Sequence, residues 1–270
     1  EGDRLPNDVV LPLVGFRASL EALRDHPLWK KLPVGPNRGR GIACGMWIGG
    51  VQPNSCALKL NGDGSIGVMV GTSDLTGTRT AFKQIVADEF ELDADQVMIN
   101  VLDTDAAPYA ATSAGSKTTY TMSFALKEAC DSLKAQLLDR ASDRLDLPAD
   151  QLEYAAGHIY PKGDHNQVVT IGELGQASVA VGGGPIRATG AMTRARQNPS
   201  FAAHVADVEV DPDTGKVEIL GYWAFQDCGF AVNPTQVEGQ MQGGVTQGIG
   251  WALSEEYAFK DGVMSNPTFL

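Results

Sequence analysis

Three glycine-rich stretches, each running straight into a helical pattern, constrain this chain more than anything else in it. They are Gly71-Thr-Ser-Asp-Leu-Thr-Gly-Thr-Arg-Thr80, Ala111-Thr-Ser-Ala-Gly-Ser-Lys-Thr-Thr119 and Gly239-Gln-Met-Gln-Gly-Gly-Val-Thr-Gln-Gly-Ile-Gly250. The first turn of any helix leaves backbone N–H groups without intrahelical acceptors. Those groups favour an anion, and glycine lets the backbone come close to it. Hydroxyl and amide side chains add further donors. Together, three such loops can surround a large, polar, anionic ligand. Taken singly, each also reads as an ordinary capped helix, because Ser, Thr and Gly are common N-cap residues. None matches a P-loop or a Rossmann fingerprint.

The rest of the pattern is mixed. Phe16 to Trp29 has helical spacing, and strands are predicted at Ile42–Ile48, Ser55–Leu60 and Ile66–Val70, with a turn at 61–64. Phe82, Ile85, Val86 and Phe90 fall on one helical stripe. A strand at Val97–Leu102 and a loop from Asp103 to Gly115 precede a helix from about Ser116 to Leu145, whose stripe is Met122, Leu126, Ala129, Leu133 and Leu137. A strand-and-turn region covers 152–170, and Gly182 to Pro199 reads as a flexible linker. His204–Val210 and Lys216–Phe225 flank a hairpin turn, and Val237 to Tyr257 reads as a glycine-rich helix. Strands and helices mix without βαβ alternation, so the expected class is α+β, with mixed sheets, hairpins and packed helices. The expected organisation is a linker and helix over 1–40, then one region over 41–270, with two subdomains meeting near 180–200.

Charge and composition remove several alternatives. The formal net charge is −12 and no Lys/Arg run occurs, which argues against a nucleic-acid binder. Cys44, Cys56, Cys130 and Cys228 are scattered, and His26, His158, His165 and His204 show no metal spacing. Reduced thiols in a cytoplasmic protein are the expectation, with the periplasm as the other compartment left open. No apolar run is long enough to span a membrane. The chain opens without Met and closes at Asn266-Pro-Thr-Phe-Leu270, so both ends read as internal to a longer polypeptide.

The ordered series resembles the second cofactor-binding region of molybdenum hydroxylase large subunits, the family of xanthine dehydrogenase and aldehyde oxidase. Gly71–Gln84, Asp103–Ser116 and Asp227–Gly250 follow its order and spacing, and Val205-Ala-Asp-Val-Glu-Val-Asp-Pro-Asp-Thr-Gly resembles its recurrent hairpin. The resemblance implies molybdopterin with molybdenum, as the cytosine dinucleotide. It places Gln240 and Gln247 where the family's cofactor-helix glutamines sit; a cap or surface role is the other reading of each. In the first loop the family's Gly-Gln-Gly is replaced by Leu75-Thr76-Gly77, which leaves the Thr76 hydroxyl and the Gly77 and Thr78 amides. In the second, Ala114, Gly115, Ser116 and Lys117 lie where the family places small residues beside the metal. A solvated helix-start lysine is the other reading of Lys117. No side chain is expected to ligate the metal directly, because the cofactor's dithiolene does so.

The same resemblance implies oxidative hydroxylation of a heterocycle or aldehyde with water-derived oxygen, in a multisubunit, oligomeric complex. Its [2Fe–2S] clusters and FAD are expected on partner subunits or domains, namely an iron–sulfur subunit, a FAD subunit and the remainder of the large subunit. The family's glutamate base is expected beyond Leu270, so no catalytic residue is assigned here and the isolated chain is expected to be inactive. The alternative is an inactive cofactor-binding or structural subunit of such a complex.

Overall fold

The computed structural model describes residues 2, 4, 10, 15–181, 183–193 and 197–268. In chain order the elements are α1 (Phe16–Asp25), a 3-10 turn (Pro27–Lys30), β1 (Arg38–Trp47), β2 (Ser55–Leu60), β3 (Ile66–Val70), α2 (Thr78–Glu89), β4 (Val97–Val101), α3 (Thr118–Leu145), β5 (Leu152–Ala155), β6 (His158–Pro161), β7 (Val169–Thr170), α4 (Ile171–Val179), β8 (Arg187–Ala191), β9 (Ser200–Val210), β10 (Val217–Gln226), α5 (Pro234–Leu253), β11 (Phe259–Lys260) and β12 (Val263–Met264). They form two compact units. One comprises residues 49–198, the other residues 1–48 and 199–270. The class is α+β, as the mixed pattern predicts.

The 49–198 unit is built on a four-stranded sheet of order β4-β3-β2-β8. β3 and β4 run parallel, while β2 pairs antiparallel with both β3 and β8. The β2–β3 hairpin closes where the sequence predicts it. Asp63 Oδ1 accepts from the Ser65 amide at 2.9 Å, and the Gly64 amide donates to Asn61 O at 3.0 Å. α2 and α3 lie over this sheet through their apolar stripes. Phe82, Val86, Phe90, Met122, Leu126, Ala129, Leu133 and Leu137 are buried in one core cluster, and Ile85 packs against it. α3 comes so close to β8 that a Cβ on Gly190 would stand 2.0 Å from Ala125 O and 2.7 Å from Ala129 N. Only glycine fits there. Cys56 and Cys130 are free thiols within this core, and burial pushes each up to about 12, so they are inert packing groups.

The other unit carries an antiparallel sheet of order β1-β9-β10. Its β9–β10 turn is an Asx turn, with Asp211 Oδ1 accepting from the Asp213 amide at 2.9 Å. Arg40 is its hub. The guanidinium is bidentate to Asp207, Nε to Oδ1 at 2.6 Å and Nη2 to Oδ2 at 2.7 Å. It donates to Leu28 O at 2.7 Å and lies over the rings of Trp29 and Trp223, 5.2 and 5.4 Å from their centroids. Both partners of the ion pair are nearly buried, with side chains 6% and 10% exposed. Its donors and acceptors are matched, which is what makes a buried pair tolerable. The neighbouring apolar cluster is small: Leu23, Leu28, Ala203 and Val205, with Trp29, Trp223 and Phe225 packed on it.

Three departures from the sequence reading have local causes. The helix predicted over Phe16–Trp29 stops at Asp25, because Pro27 cannot continue it; His26 Nδ1 accepts from the Leu28 amide instead and starts a 3-10 turn. α4 escaped notice, although its capping box is present: Thr170 accepts from the Glu173 amide at 3.1 Å and Glu173 answers the Thr170 amide at 2.7 Å. The linker expected from Gly182 to Pro199 is corrected over most of its length. Residues 187–191 form β8, hydrogen-bonded to β2, with Ile186, Ala188 and Met192 buried. Gly182 and residues 194–196 lie outside the described residues, as do most of residues 1–14, where the expected linker of 1–40 begins.

Two predictions follow from these packings. Gly190→Ala should destabilise the 49–198 unit by about 1–3 kcal/mol, the usual cost of overpacking, or more because the obstacle is backbone. Urea denaturation checks it, and an unchanged midpoint would contradict the close approach. The Arg40 guanidinium beside Asp207 holds that carboxyl below the usual carboxylate range. A depressed pKa gives stability that is complete above the unfolded value, about 3.9, and is lost as pH falls through the folded value. Asp207→Asn should therefore cost about 3 kcal/mol at pH 7, by leaving Arg40 buried and unpaired, and should remove part of the acid limb of the stability curve. Tryptophan fluorescence from Trp29 and Trp223 reports both.

Candidate functional site

Because β3 and β4 are parallel neighbours, their carboxyl ends lie at the same edge of the sheet. The loop after β3 leads into α2, and the loop after β4 leads into α3. Two of the three glycine-rich loops are thus brought side by side, at the place where open sheets with parallel strands commonly receive ligands. The loops touch. Ser73 Oγ lies 3.4 Å from Ser113 Oγ, and a Cβ on Gly71 would stand 2.7 Å from Pro108 O.

Both loops end in the same backbone device. Thr76 and Gly77 have φ of 56° and 80°, and Gly115 and Ser116 have φ of 68° and 57°, each pair in the left-handed region just before a helix. For a β-branched residue such as Thr76 this conformation is strained, and it persists only where the surroundings impose it. A left-handed residue followed by a right-handed one turns successive amides to one side, the geometry of an anion-binding nest.

The two loops differ in what those amides do. In the first, the Thr78 amide donates to Leu75 O at 3.3 Å and the Arg79 amide to Asp74 Oδ1 at 3.2 Å. The Thr78 amide, which the sequence suggested was available, is engaged in closing the loop, and the Thr78 side chain bonds Ser73 O at 3.2 Å. Thr76 is exposed and Gly77 half-buried. In the second loop the amides of Ser116, Lys117, Thr118 and Thr119 find no acceptor among the described residues. Ala114 and Ser116 are exposed there, and the Ala114 amide turns back to Thr112 O.

Side-chain satisfaction makes the same contrast. Asn54, buried, holds the second loop to α3. Its Nδ2 donates to Thr121 Oγ1 at 2.6 Å, its Oδ1 accepts from the Ala111 amide at 3.1 Å, and Thr121 Oγ1 donates on to Lys117 O at 3.0 Å. Against this matched network stand two buried polar atoms with no partner among the described residues: Thr72 Oγ1 and Lys117 Nζ. Each belongs to one of the two loops. Lys117 is 1% exposed, so the solvated-lysine reading is corrected. Burial lowers its proton affinity. Neither Asn54 nor Thr72 carried any signal in the sequence; their role is visible only once the loops are folded.

The third stretch is corrected: 239–250 is not a loop before a helix but lies inside α5, in the other unit. Asn233 caps this helix, accepting from the Gln236 amide at 3.2 Å, with Pro234 at its first position. Gln240 and Gln247 are seven residues apart, hence on one face about 10 Å from each other. Both are exposed, and their side chains bond to no described residue. Gly239, Gly243, Gly244 and Gly248 are open, with nothing within 4 Å of a built Cβ. Each glycine costs a helix about 1 kcal/mol relative to alanine. α5 buries no residue, and these glycines leave its backbone open to close approach.

The site residues present suit an anionic, hydrogen-bond-accepting cofactor: a strained loop pair, a row of unengaged amides, and buried donors without acceptors. Among the described residues no cluster of His, Cys, Asp or Glu could hold a metal by itself, and no helix is long and apolar enough to cross a membrane.

Comparison with known proteins agrees with that chemistry. A family model described as a molybdopterin cofactor-binding domain matches residues 18–270. The chain is 31% identical over 245 residues to the xanthine dehydrogenase molybdenum-binding subunit of Escherichia coli O157:H7, covering 86% of this chain and 33% of that protein. It is 29% identical over 216 residues to the carbon monoxide dehydrogenase large chain of Afipia carboxidovorans, covering 77% and 26%. Among solved structures, Cu,Mo-CO dehydrogenase in its carbon monoxide reduced state matches with a TM-score of 0.78 at 26% identity, over 94% of this chain and 33% of that one. Quinoline 2-oxidoreductase from Pseudomonas putida 86, at 20% identity and a TM-score of 0.72, shares the fold. The chain spans about a third of the length of the relatives it matches. It belongs to the molybdopterin cofactor-binding domain family, the domain carried by the large subunits of molybdenum hydroxylases.

Proposed function

We propose that this chain forms part of the cofactor cradle of a molybdenum hydroxylase that holds molybdopterin as its cytosine dinucleotide and oxidises a heterocycle or an aldehyde. The observation that carries this reading is the pair of orphaned buried donors, Thr72 Oγ1 and Lys117 Nζ, on two touching helix-start loops. Buried donors without acceptors are rare in folded proteins, and a ligand rich in acceptors is the direct remedy.

Residue by residue, the Gly115–Lys117 turn and the amides that follow it supply donors to the cofactor. Ala114 and Gly115 keep the approach free of side chains. Thr76 and Gly77 form the rim of the first loop, where the Thr76 hydroxyl stands in for the family's glutamine. Thr78 holds that loop closed. Gln240 and Gln247 offer amide groups that both donate and accept, which suits a pterin edge or a phosphate. When bound, the molybdenum group supplies the redox chemistry, and the protein orients it.

The intact assembly is proposed to be a cytoplasmic, multisubunit oligomer, with [2Fe–2S] clusters and FAD on an iron–sulfur subunit and a FAD subunit. Residues 41–270 are proposed as the cofactor-binding region proper. Metal analysis, extraction of the cofactor and nucleotide identification from the natively purified complex test this directly. One molybdenum and one cytosine nucleotide per chain is the expected result; a nucleotide bound without molybdenum would overturn it.

Gln240→Ala should lower molybdenum occupancy while leaving the fold intact, since the Gln240 side chain is exposed and bonds to no described residue. Loss of one hydrogen-bonding partner of a buried ligand costs about 1–3 kcal/mol, enough to empty a large share of sites. Equal molybdenum content in variant and parent would remove Gln240 from the cradle.

A further inference from the structure

The connection between β1 and β2 runs along the second loop and bonds to it at three places. The Gly50 amide donates to Gly115 O at 2.9 Å, the Ser55 amide donates to Tyr109 O at 2.8 Å, and Asn54 forms an antiparallel bridge with Ala110. β2 runs antiparallel to β3, so its amino end lies at the edge where β3 delivers the first loop. Asn54 stands at that end, 1% exposed.

The Asn54 side chain adds what these backbone bonds lack, a tie from the loop to α3. Nδ2 donates to Thr121 Oγ1 at 2.6 Å while Oδ1 accepts from the Ala111 amide at 3.1 Å. Thr121 is fully buried, and its hydroxyl proton goes to Lys117 O at 3.0 Å, the same carbonyl that the Thr121 amide reaches at 2.8 Å. The chain of bonds therefore has one direction. Thr121 Oγ1 gives its only proton to Lys117 O and can only accept from Asn54. Turning the Asn54 amide over would set Nδ2 against the Ala111 N–H and draw the Thr121 proton away from Lys117 O. One side chain thus fixes three things together: the start of β2, the middle of the loop and the cap of α3. None of these bonds needs a ligand. A loop that must be ordered when its ligand binds loses affinity, and ordering it beforehand removes that cost.

We propose that Asn54 is a positioning residue for ligand capture at this edge: through the Ala111 amide, Thr121 and the Lys117 carbonyl it holds the turn from Ala111 into α3 in its binding form before the ligand arrives. That the ligand is molybdopterin rests on the reading given under the proposed function. Asn54 acts only through the loop, and Thr121 is the relay on which that action depends.

Three variants separate positioning from general stability. Thr121→Val removes the shared hydroxyl and keeps the branched shape. Thr121→Ser restores the hydroxyl. Ile159→Val is the control, because it loosens the same core cluster from a different sheet. In the full chain freed of cofactor, amide hydrogen exchange at Gly50, Ala111 and Thr121 should rise about fivefold or more in Thr121→Val, and stay at the parent level in Thr121→Ser and Ile159→Val. In the native complex, Thr121→Val should release molybdopterin about fivefold faster than the parent, with Ile159→Val and Thr121→Ser close to it. Asn54→Ala should act in the same direction, and adding Thr121→Val to it should change little more, since both break one chain. Unchanged exchange in Thr121→Val would show that the loop is held without this network and would overturn the role. Equal molybdopterin release from Thr121→Val and the parent would overturn it too, as would a release from Ile159→Val as fast as from Thr121→Val. A loop that loosens in Thr121→Val, in a protein whose native complex carries no molybdopterin, would sustain Asn54 as the positioning residue and sink the cofactor reading instead.

Discussion

The packing of α3 against β8 is the contact on which the geometry of the 49–198 unit depends. Gly190 has no side chain, so the helix backbone at Ala125 and Ala129 comes directly against the strand. The buried stripe from Met122 to Ala141 then seals the helix onto the sheet. A close-packed interior tolerates little displacement. A helix of this length, fixed along its body, has its first turn fixed too. That turn stands at the carboxyl edge of β3 and β4, beside the loop that begins α2. The cradle is therefore positioned by a core contact remote from it in sequence.

Satisfied and unsatisfied polar groups lie next to each other at that edge, and the difference carries meaning. Asn54 and Thr121 are buried and matched, so they hold the loop without needing anything else. Thr72 and Lys117 are equally buried and unmatched. If burial alone explained the lysine, the chain would be expected to offer it a carboxylate. It offers more donors instead. The left-handed Thr76 and Ser116 add backbone strain at the same two loops. Strain and orphaned donors gathered in one place mark a site shaped for a ligand rather than for maximal stability.

The other unit reaches its stability by different means. Its apolar cluster is small, and Arg40 takes the central place, flanked by two tryptophan rings and matched by Asp207. Arginine suits this because its planar group can stack and form a bidentate pair at once. From this base the chain continues into α5, a helix rich in glycine and open along its length.

Much of the local structure was legible in the sequence. The β2–β3 and β9–β10 hairpins and the stripes of α2 and α3 follow from turn chemistry and apolar period, which act over a few residues. Two of the three glycine-rich stretches, 71–80 and 111–119, are helix starts as read, while the third lies inside α5; their order pointed to the family. What no local pattern contained was pairing between distant segments. β8 looked like a linker because Arg187–Ala191 is short, and only its ladder to β2 makes it a strand. For Lys117 the sequence left a solvated lysine open beside a cofactor role, because helix starts are usually at the surface; the approach of Gly50 and the folding of the second loop bury it. Asn54 carried no signal of its own, and contacts to residues 111 and 121 give it its role. Secondary structure and the kind of ligand are set by neighbours along the chain. Burial, and so the charge that must be answered, is set by neighbours in space, and those exist only after the core has closed.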